Sequence, residues 1–260
     1  MKSKMRYREQ KFHCGNYLEV NMFPVFECVY KSSNRKSRRK PTSKVQEKLN
    51  QHNAEKSLTR IINANFTNKD IKLELTYSPE NHPESVEQAQ RDIVNFFRRI
   101  NRARNKAGLE KVKYIYSLEQ GSRKKRFHFH VIMSGGLSIN DISKIWGKGY
   151  VNKVLPLMFN ETGCVGIAKY FSKQQVKTAT GKSKRWVSSH NCVKPTPQNN
   201  DYKLTKRKVA ELASETENLR LFEKLYPDYF CASCKPFYND ETGLYYLYLV
   251  LYKKTAELDI

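Results

Sequence analysis

Two β-prone runs, "KVKYIYSLE" (111–119) and "RFHFHVIM" (126–133), flank a polar loop, "QGSRKK" (120–125). Runs rich in Tyr, Ile, Phe and Val on either side of a short polar loop predict a β-hairpin, so the chain should contain an antiparallel sheet. Its neighbours set how that sheet is built. Upstream, "DIKLELTYSP" alternates with Ile71, Leu73 and Leu75 on one face and stops at Pro79, which predicts a strand. Ser85 then opens a helix in which Ala89, Ile93, Phe96, Phe97 and Ile100 form an apolar stripe. The opposite face is rich in Arg and Gln, and the pattern stops at Gly108. Downstream of the hairpin come a capped helix in "SINDISKIWGKG", a strand in "YVNKVLPL" and a helix in "VGIAKYFSKQQVK". The order β-α-β-β-α-β-α predicts an α+β fold, a ferredoxin-like antiparallel sheet with helices on one face.

The rest of the chain reads as extensions around this unit. Residues 1–67 form a basic N-terminal extension. It holds short strands in "NYLEVNMFPVFECVYK" broken at Pro24, and a loop with six Lys or Arg between residues 31 and 40. A helix runs from the Ser43/Gln46 capping box to about residue 64. Residues 68–195 form the central domain, and after residue 175 the polar, basic segment reads as a linker or a nucleic-acid-contacting extension. Residues 196–260 form a C-terminal extension, with one charged helix in "TKRKVAELASETENLRLFEKL" and a strand in "GLYYLYLVLYKK".

Forty-eight Lys and Arg against 25 Asp and Glu give a net charge of +23. Such an excess repels itself unless a polyanion is near, and nucleic acid is the leading partner. Solvated surface charge and an anionic membrane surface are the alternatives, but there is no amphipathic basic helix to favour a membrane. Nor does any apolar run approach the roughly 18 residues of a membrane span. "MKSKMRYREQ" has no apolar run after its basic residues, so no secretory signal is expected and the location should be the cytoplasm. The six cysteines are then expected as thiols; "CASC" (231–234) has the spacing of half a zinc site, with no second pair after it.

His128 and His130 stand two apart in a strand and so project from one face, while Phe129 and Val131 project from the other. Two such histidines suit an ordinary strand as well as a metal site. Glu119 tilts the balance, because it ends the partner strand where a regular hairpin brings it opposite or diagonal to one of them. Two imidazoles and a carboxylate with open positions suit Mn²⁺ or Mg²⁺ better than a closed structural zinc site. In "GIAKYFSKQQVK", Tyr170 and Lys173 are three apart and share a helical face. A buried tyrosine beside a solvated lysine is one reading. The other is covalent catalysis, with the hydroxyl attacking a phosphodiester.

"LTYSP" (75–79), "RFHFHVIM" with Glu119, and "IAKYFSKQ" (167–174), in that order and spacing, resemble the three motifs of HUH endonucleases. They are most similar to the single-tyrosine rolling-circle replication initiators of small phages, plasmids and single-stranded DNA viruses. The resemblance covers roughly residues 68–175, so it implies that 68–195 is an HUH endonuclease domain. It implies that Glu119, His128 and His130 bind the divalent metal, Mn²⁺ or Mg²⁺, and that Tyr170 forms a 5′-phosphotyrosine and frees a 3′-hydroxyl. It also implies that Lys173 assists. The implied partners are single-stranded DNA at a replication origin, duplex origin DNA, and a host helicase and polymerase, in a bacterial cytoplasm or, for a eukaryotic virus, the nucleus. Many relatives have Arg-Pro-His where this chain has Arg126-Phe127-His128. No second tyrosine stands three or four residues after Tyr170, which favours single-tyrosine chemistry. "TGKSK" (180–184) lacks the glycine spacing of a Walker A loop, so helicase activity must come from elsewhere.

For DNA contact, Lys124, Lys125 and Arg126 flank the expected metal site, and Arg185 with Trp186 offers a charge and a stacking ring. A non-catalytic basic nucleic-acid-binding protein and a related HUH transposase or relaxase are the other readings.

Overall fold

A computed structural model of the chain describes residues 5–27, 44–121, 126–173, 176–177, 183–256 and 258. It begins with strands β1 (Met5–Cys14) and β2 (Tyr17–Phe26), helix α1 (Lys44–Asn65), β3 (Ile71–Tyr77) and α2 (Val86–Lys106). The hairpin β4 (Tyr114–Gln120) and β5 (Phe127–Met133) follows, then α3 (Ile139–Trp146), β6 (Gly149–Pro156) and α4 (Val165–Lys173). Three two-residue strands come next, β7 (Val176–Lys177), β8 (Ser183–Lys184) and β9 (Val187–Ser188). The chain closes with β10 (Gln198–Leu204), α5 (Lys206–Ser214), α6 (Leu219–Leu225), β11 (Tyr229–Asn239) and β12 (Leu244–Lys253). The fold is α+β with two five-stranded antiparallel sheets, and the chain divides into two compact units.

One unit, residues 53–159 with 164–193, carries the sheet β6-β3-β5-β4-β9. Within β3-α2-β4-β5-α3-β6 that strand order is the ferredoxin-like one, with β5 inserted between β3 and β4 and every pairing antiparallel. The helices start and stop where local chemistry requires. The Ser85 hydroxyl accepts from Gln88 N at 3.1 Å and opens α2; Ser138 caps α3 by accepting from Asp141 N, and Gly147 in the left-handed region ends it. One sheet face packs Leu73, Leu75, Phe129 and Val131 against Ile93 and Phe96 of α2. Trp146 of α3 is fully buried in the same core and donates from Nε1 to the Thr76 carbonyl at 2.9 Å. The other face of β5 carries the histidines.

The second unit joins the two ends of the chain. Residues in 5–26 and 198–253, read from sequence as separate extensions, lie side by side in the sheet β10-β1-β2-β12-β11. Three expectations are corrected here. β2 runs straight through Pro24 instead of breaking, because its pairing with β12 ends at Met22 and the missing N–H of Pro24 lies on a strand that is an edge from there on. The single C-terminal helix is two, α5 and α6, separated at residues 215–218. "CASC" lies within β11, where Cys231 is buried in an apolar core with Leu249 and Leu251, and burial pushes its thiol up to about 11. The Ser43 cap and the basic loop at 31–40 lie outside the described residues. No helix among the described residues is long and apolar enough to cross a membrane.

Candidate active site

Glu119 sits directly opposite His128 in the β4·β5 ladder, and Ser117 opposite His130, so the carboxylate is one step diagonal from the second imidazole. A single oxygen, Glu119 Oε2, lies 3.1 Å from His128 Nε2 and 2.8 Å from His130 Nε2. The three donor atoms fall within 4.8 Å of one another, and this is the metal-competent cluster found among the described residues. The hairpin register produces it: two residues of one strand and one of its partner share a face and a level.

Helix α4 brings the tyrosine. Ala168, Phe171 and Ser172 are buried and fix the helix, Phe171 meets His130 edge-on at 6.0 Å between ring centres, and Tyr170 is left half-exposed. Tyr170 Oη lies 3.3 Å from His130 Nε2. Strand β3 closes the opposite side: Glu74 pairs with His130 across β3·β5 and accepts from Lys153 Nζ at 2.7 Å. A cleft of about 330 Å³ opens between them, lined by Glu74, His130, Lys153, Leu155, Tyr170 and Phe171.

Burial lowers the pKa of His130 below that of an ordinary histidine, which keeps its ring neutral and able to donate a lone pair. Burial raises the Tyr170 phenol, and Glu119 and Glu74 raise it further, whereas Lys153 works the other way. The hydrogen bond to Glu74 raises the Lys153 amine, so that residue is a cation at neutral pH. Two neutral imidazoles and a carboxylate, converging beside an open cleft, fit a divalent cation that keeps free positions for water or phosphate.

The site residues expected from sequence are distributed as follows. Glu119, His128, His130 and Tyr170 come together. Lys173 is the last residue of α4, but its side chain lies outside the described residues, as do Lys124 and Lys125. Arg126 is exposed, and its carbonyl accepts from Gly121 N at 2.9 Å, closing the hairpin loop. Arg185 donates to the carbonyl of Ser172 at 3.1 Å, so it is bonded to the end of the tyrosine helix, and Trp186 is half-buried just before β9. The sequence reading missed Glu74 and Lys153. Glu74 was detectable, since it alternates with Leu73 and Leu75 and so lies on the face of the metal pair; Lys153 gave no such signal.

Residues 71–175 match the model of a family described as replication-associated protein, of the ORF2 type. The match covers less than half of the 260-residue chain, but it runs from the start of β3 past the end of α4 and includes all four converging residues. No curated protein and no solved structure matches the chain.

Proposed function

We propose that this protein initiates DNA replication by nicking and rejoining single-stranded DNA at an origin, through a tyrosine nucleophile and a divalent metal, Mn²⁺ or Mg²⁺. The match of residues 71–175 supports a replication-associated role, with DNA as the partner. The observation that carries the chemistry is the approach of Tyr170 Oη to 3.3 Å from His130 Nε2, in a cluster where Glu119 Oε2 faces both imidazoles. Glu119, His128 and His130 would hold the cation. When bound, it would polarise the scissile phosphate and offset the negative charge that Glu119 directs at the phenol.

The protein's own residues account for the rest. Tyr170, half-exposed on α4, presents its oxygen to the cleft. The Tyr170 Oη–phosphorus bond forms as the phosphorus–O3′ bond breaks, the phenolic proton passes to solvent, and the departing 3′-oxygen takes up a proton. The products are a 5′-phosphotyrosine and a free 3′-hydroxyl able to prime synthesis. Attack by a 3′-hydroxyl on the phosphotyrosine reverses the bond changes and rejoins the strand. The same geometry serves a transposase or relaxase, and the replication-associated match favours an initiator.

The test is a denaturing gel of the protein with 3′-end-labelled single-stranded oligonucleotides that tile the DNA encoding it, in Mn²⁺. The expected result is a covalent adduct on the 3′ fragment with the wild-type chain and none with Tyr170→Phe, which still binds the oligonucleotide. An adduct formed by Tyr170→Phe refutes the assignment; binding by the wild-type chain without any adduct leaves a non-catalytic DNA-binding protein.

A further inference from the structure

Lys153 is a non-glycine residue held in the left-handed region, at φ 51°. That conformation is costly for a residue with a β-carbon, and such residues persist where the surroundings impose them and cluster at functional sites. Here the cause is a bulge. In the β3·β6 ladder Lys72 pairs with Leu155 and Glu74 with Asn152, so Lys153 and Val154 together oppose the single Leu73. Val151 and Val154 both pack against the core under α2 and α3. Regular alternation from Val151 would turn residue 153 into that core. The extra residue instead keeps Asn152 and Lys153 on the face of the histidines, where Lys153 lines the cleft with His130 and Tyr170.

We propose that Lys153 is a second cationic catalytic residue of this site, contacting the scissile phosphate beside Tyr170, and that Glu74 is a positioning residue that holds its amine. The inference rests on the phosphotransfer reading above. Three observations support it. The amine is anchored at 2.7 Å to a carboxylate whose side chain is only 14% exposed, while the lysine side chain itself is 72% exposed and open to a ligand. The anchor, Glu74, pairs with a residue of the metal cluster, so the amine is fixed relative to His130. Of the charges acting on the Tyr170 phenol, Lys153 favours phenolate and the two carboxylates oppose it. A cation fixed beside the nucleophile stabilises the charge that builds on the phosphoryl oxygens as the bond to tyrosine forms. Lys173 would approach from α4, so the two lysines belong to different elements.

Lys153→Gly tests the role, because glycine adopts φ 51° freely and the bulge survives the loss of the amine. Single-turnover adduct formation is measured in Mn²⁺, oligonucleotide affinity in EDTA, and melting temperature without DNA. Lys153→Gly should melt at or above the wild-type temperature and bind the oligonucleotide within about threefold, while forming adduct at least tenfold more slowly, in line with the roughly 10²–10³ cost of removing one charge-stabilising donor. Lys153→Arg should recover most of the rate, and Glu74→Gln should lose part of it with affinity kept. Unchanged adduct formation by Lys153→Gly overturns the inference, as does a rate loss fully matched by weaker binding or a lower melting temperature. If the wild-type chain forms no adduct in the same assay, the phosphotransfer reading itself has failed.

Discussion

Replacing Trp146 separates what holds the sheet from what acts on its far side. The ring is fully buried, lies edge-on to Tyr77 at 5.2 Å and to Phe96 at 5.7 Å between ring centres, and donates from Nε1 to Thr76 O at 2.9 Å. Trp146→Phe removes about 40 Å³ of side chain, which at roughly 24 cal/mol per Å³ of cavity costs about 1 kcal/mol. The lost hydrogen bond costs about 1 kcal/mol more. Weakened edge-to-face contacts add up to about 1 kcal/mol. The total is about 2–3 kcal/mol, and Trp146→Ala should cost at least the roughly 3–5 kcal/mol of such truncations, a large share of a domain's stability. Because the chain forms two compact units, a single global melt would mix them, and amide hydrogen exchange resolved to β3 and β5 is the better assay. Exchange limited by opening should speed up about 30- to 150-fold in Trp146→Phe, at 1.4 kcal/mol per decade. Mn²⁺ affinity should stay within about twofold, since His128 and His130 project from the opposite face of β5. Wild-type protection in Trp146→Phe refutes the energetic account, and a lost Mn²⁺ site with unchanged protection refutes the separation of the two faces.

Acidification should weaken the metal-free unit. His130 has a folded pKa below its unfolded value near 6.5, so its contribution is present above pH 6.5 and is lost as pH falls towards the lowered folded value. Urea titrations in EDTA at pH 7.5 and 5.5 should show a lower midpoint at the acid pH, and His130→Gln should show a smaller drop. Arg104 is 5% exposed and donates to the carbonyls of Glu110 at 2.7 Å, Gly135 at 2.5 Å and Ser134 at 3.3 Å, tying the end of α2 to the turn after β5. Arg104→Met should therefore cost about 3 kcal/mol, read as a lower urea midpoint, with oligonucleotide binding retained at low denaturant.

Legibility from sequence followed the distance over which each feature is encoded. The Ser85 and Ser138 caps, the Gly108 and Gly147 stops and the alternation of β3 depend on neighbours a few residues apart, and all were readable. The metal cluster was readable for the same reason: a hairpin loop sets its own register, and Glu119 falls directly opposite His128. The strands β10 and β11 were not. β10, "QNNDYKL", is mostly exposed and lacks an apolar period; its partner is β1, nearly two hundred residues earlier, with Arg8 clasping Asp201 at 2.6 Å. The cysteines of "CASC" suggested a ligand pair only because their strand context, paired with "LYLVL" of β12, is non-local.

Lys153 belongs to neither group. Its neighbours in "YVNKVLPL" read correctly as a strand, but period-two counting assigns residue 153 to the wrong face. What reverses the assignment is one extra residue on β6 opposite Leu73, fixed by the need of both Val151 and Val154 for the apolar core. The two valines are spaced three apart, which no regular strand can bury on one side; burying both forces the bulge between them and turns the lysine outward. A strand segment with apolar residues at i and i+3 and a charge between them therefore carries information that alternation discards. Here it carries the lysine to the tyrosine.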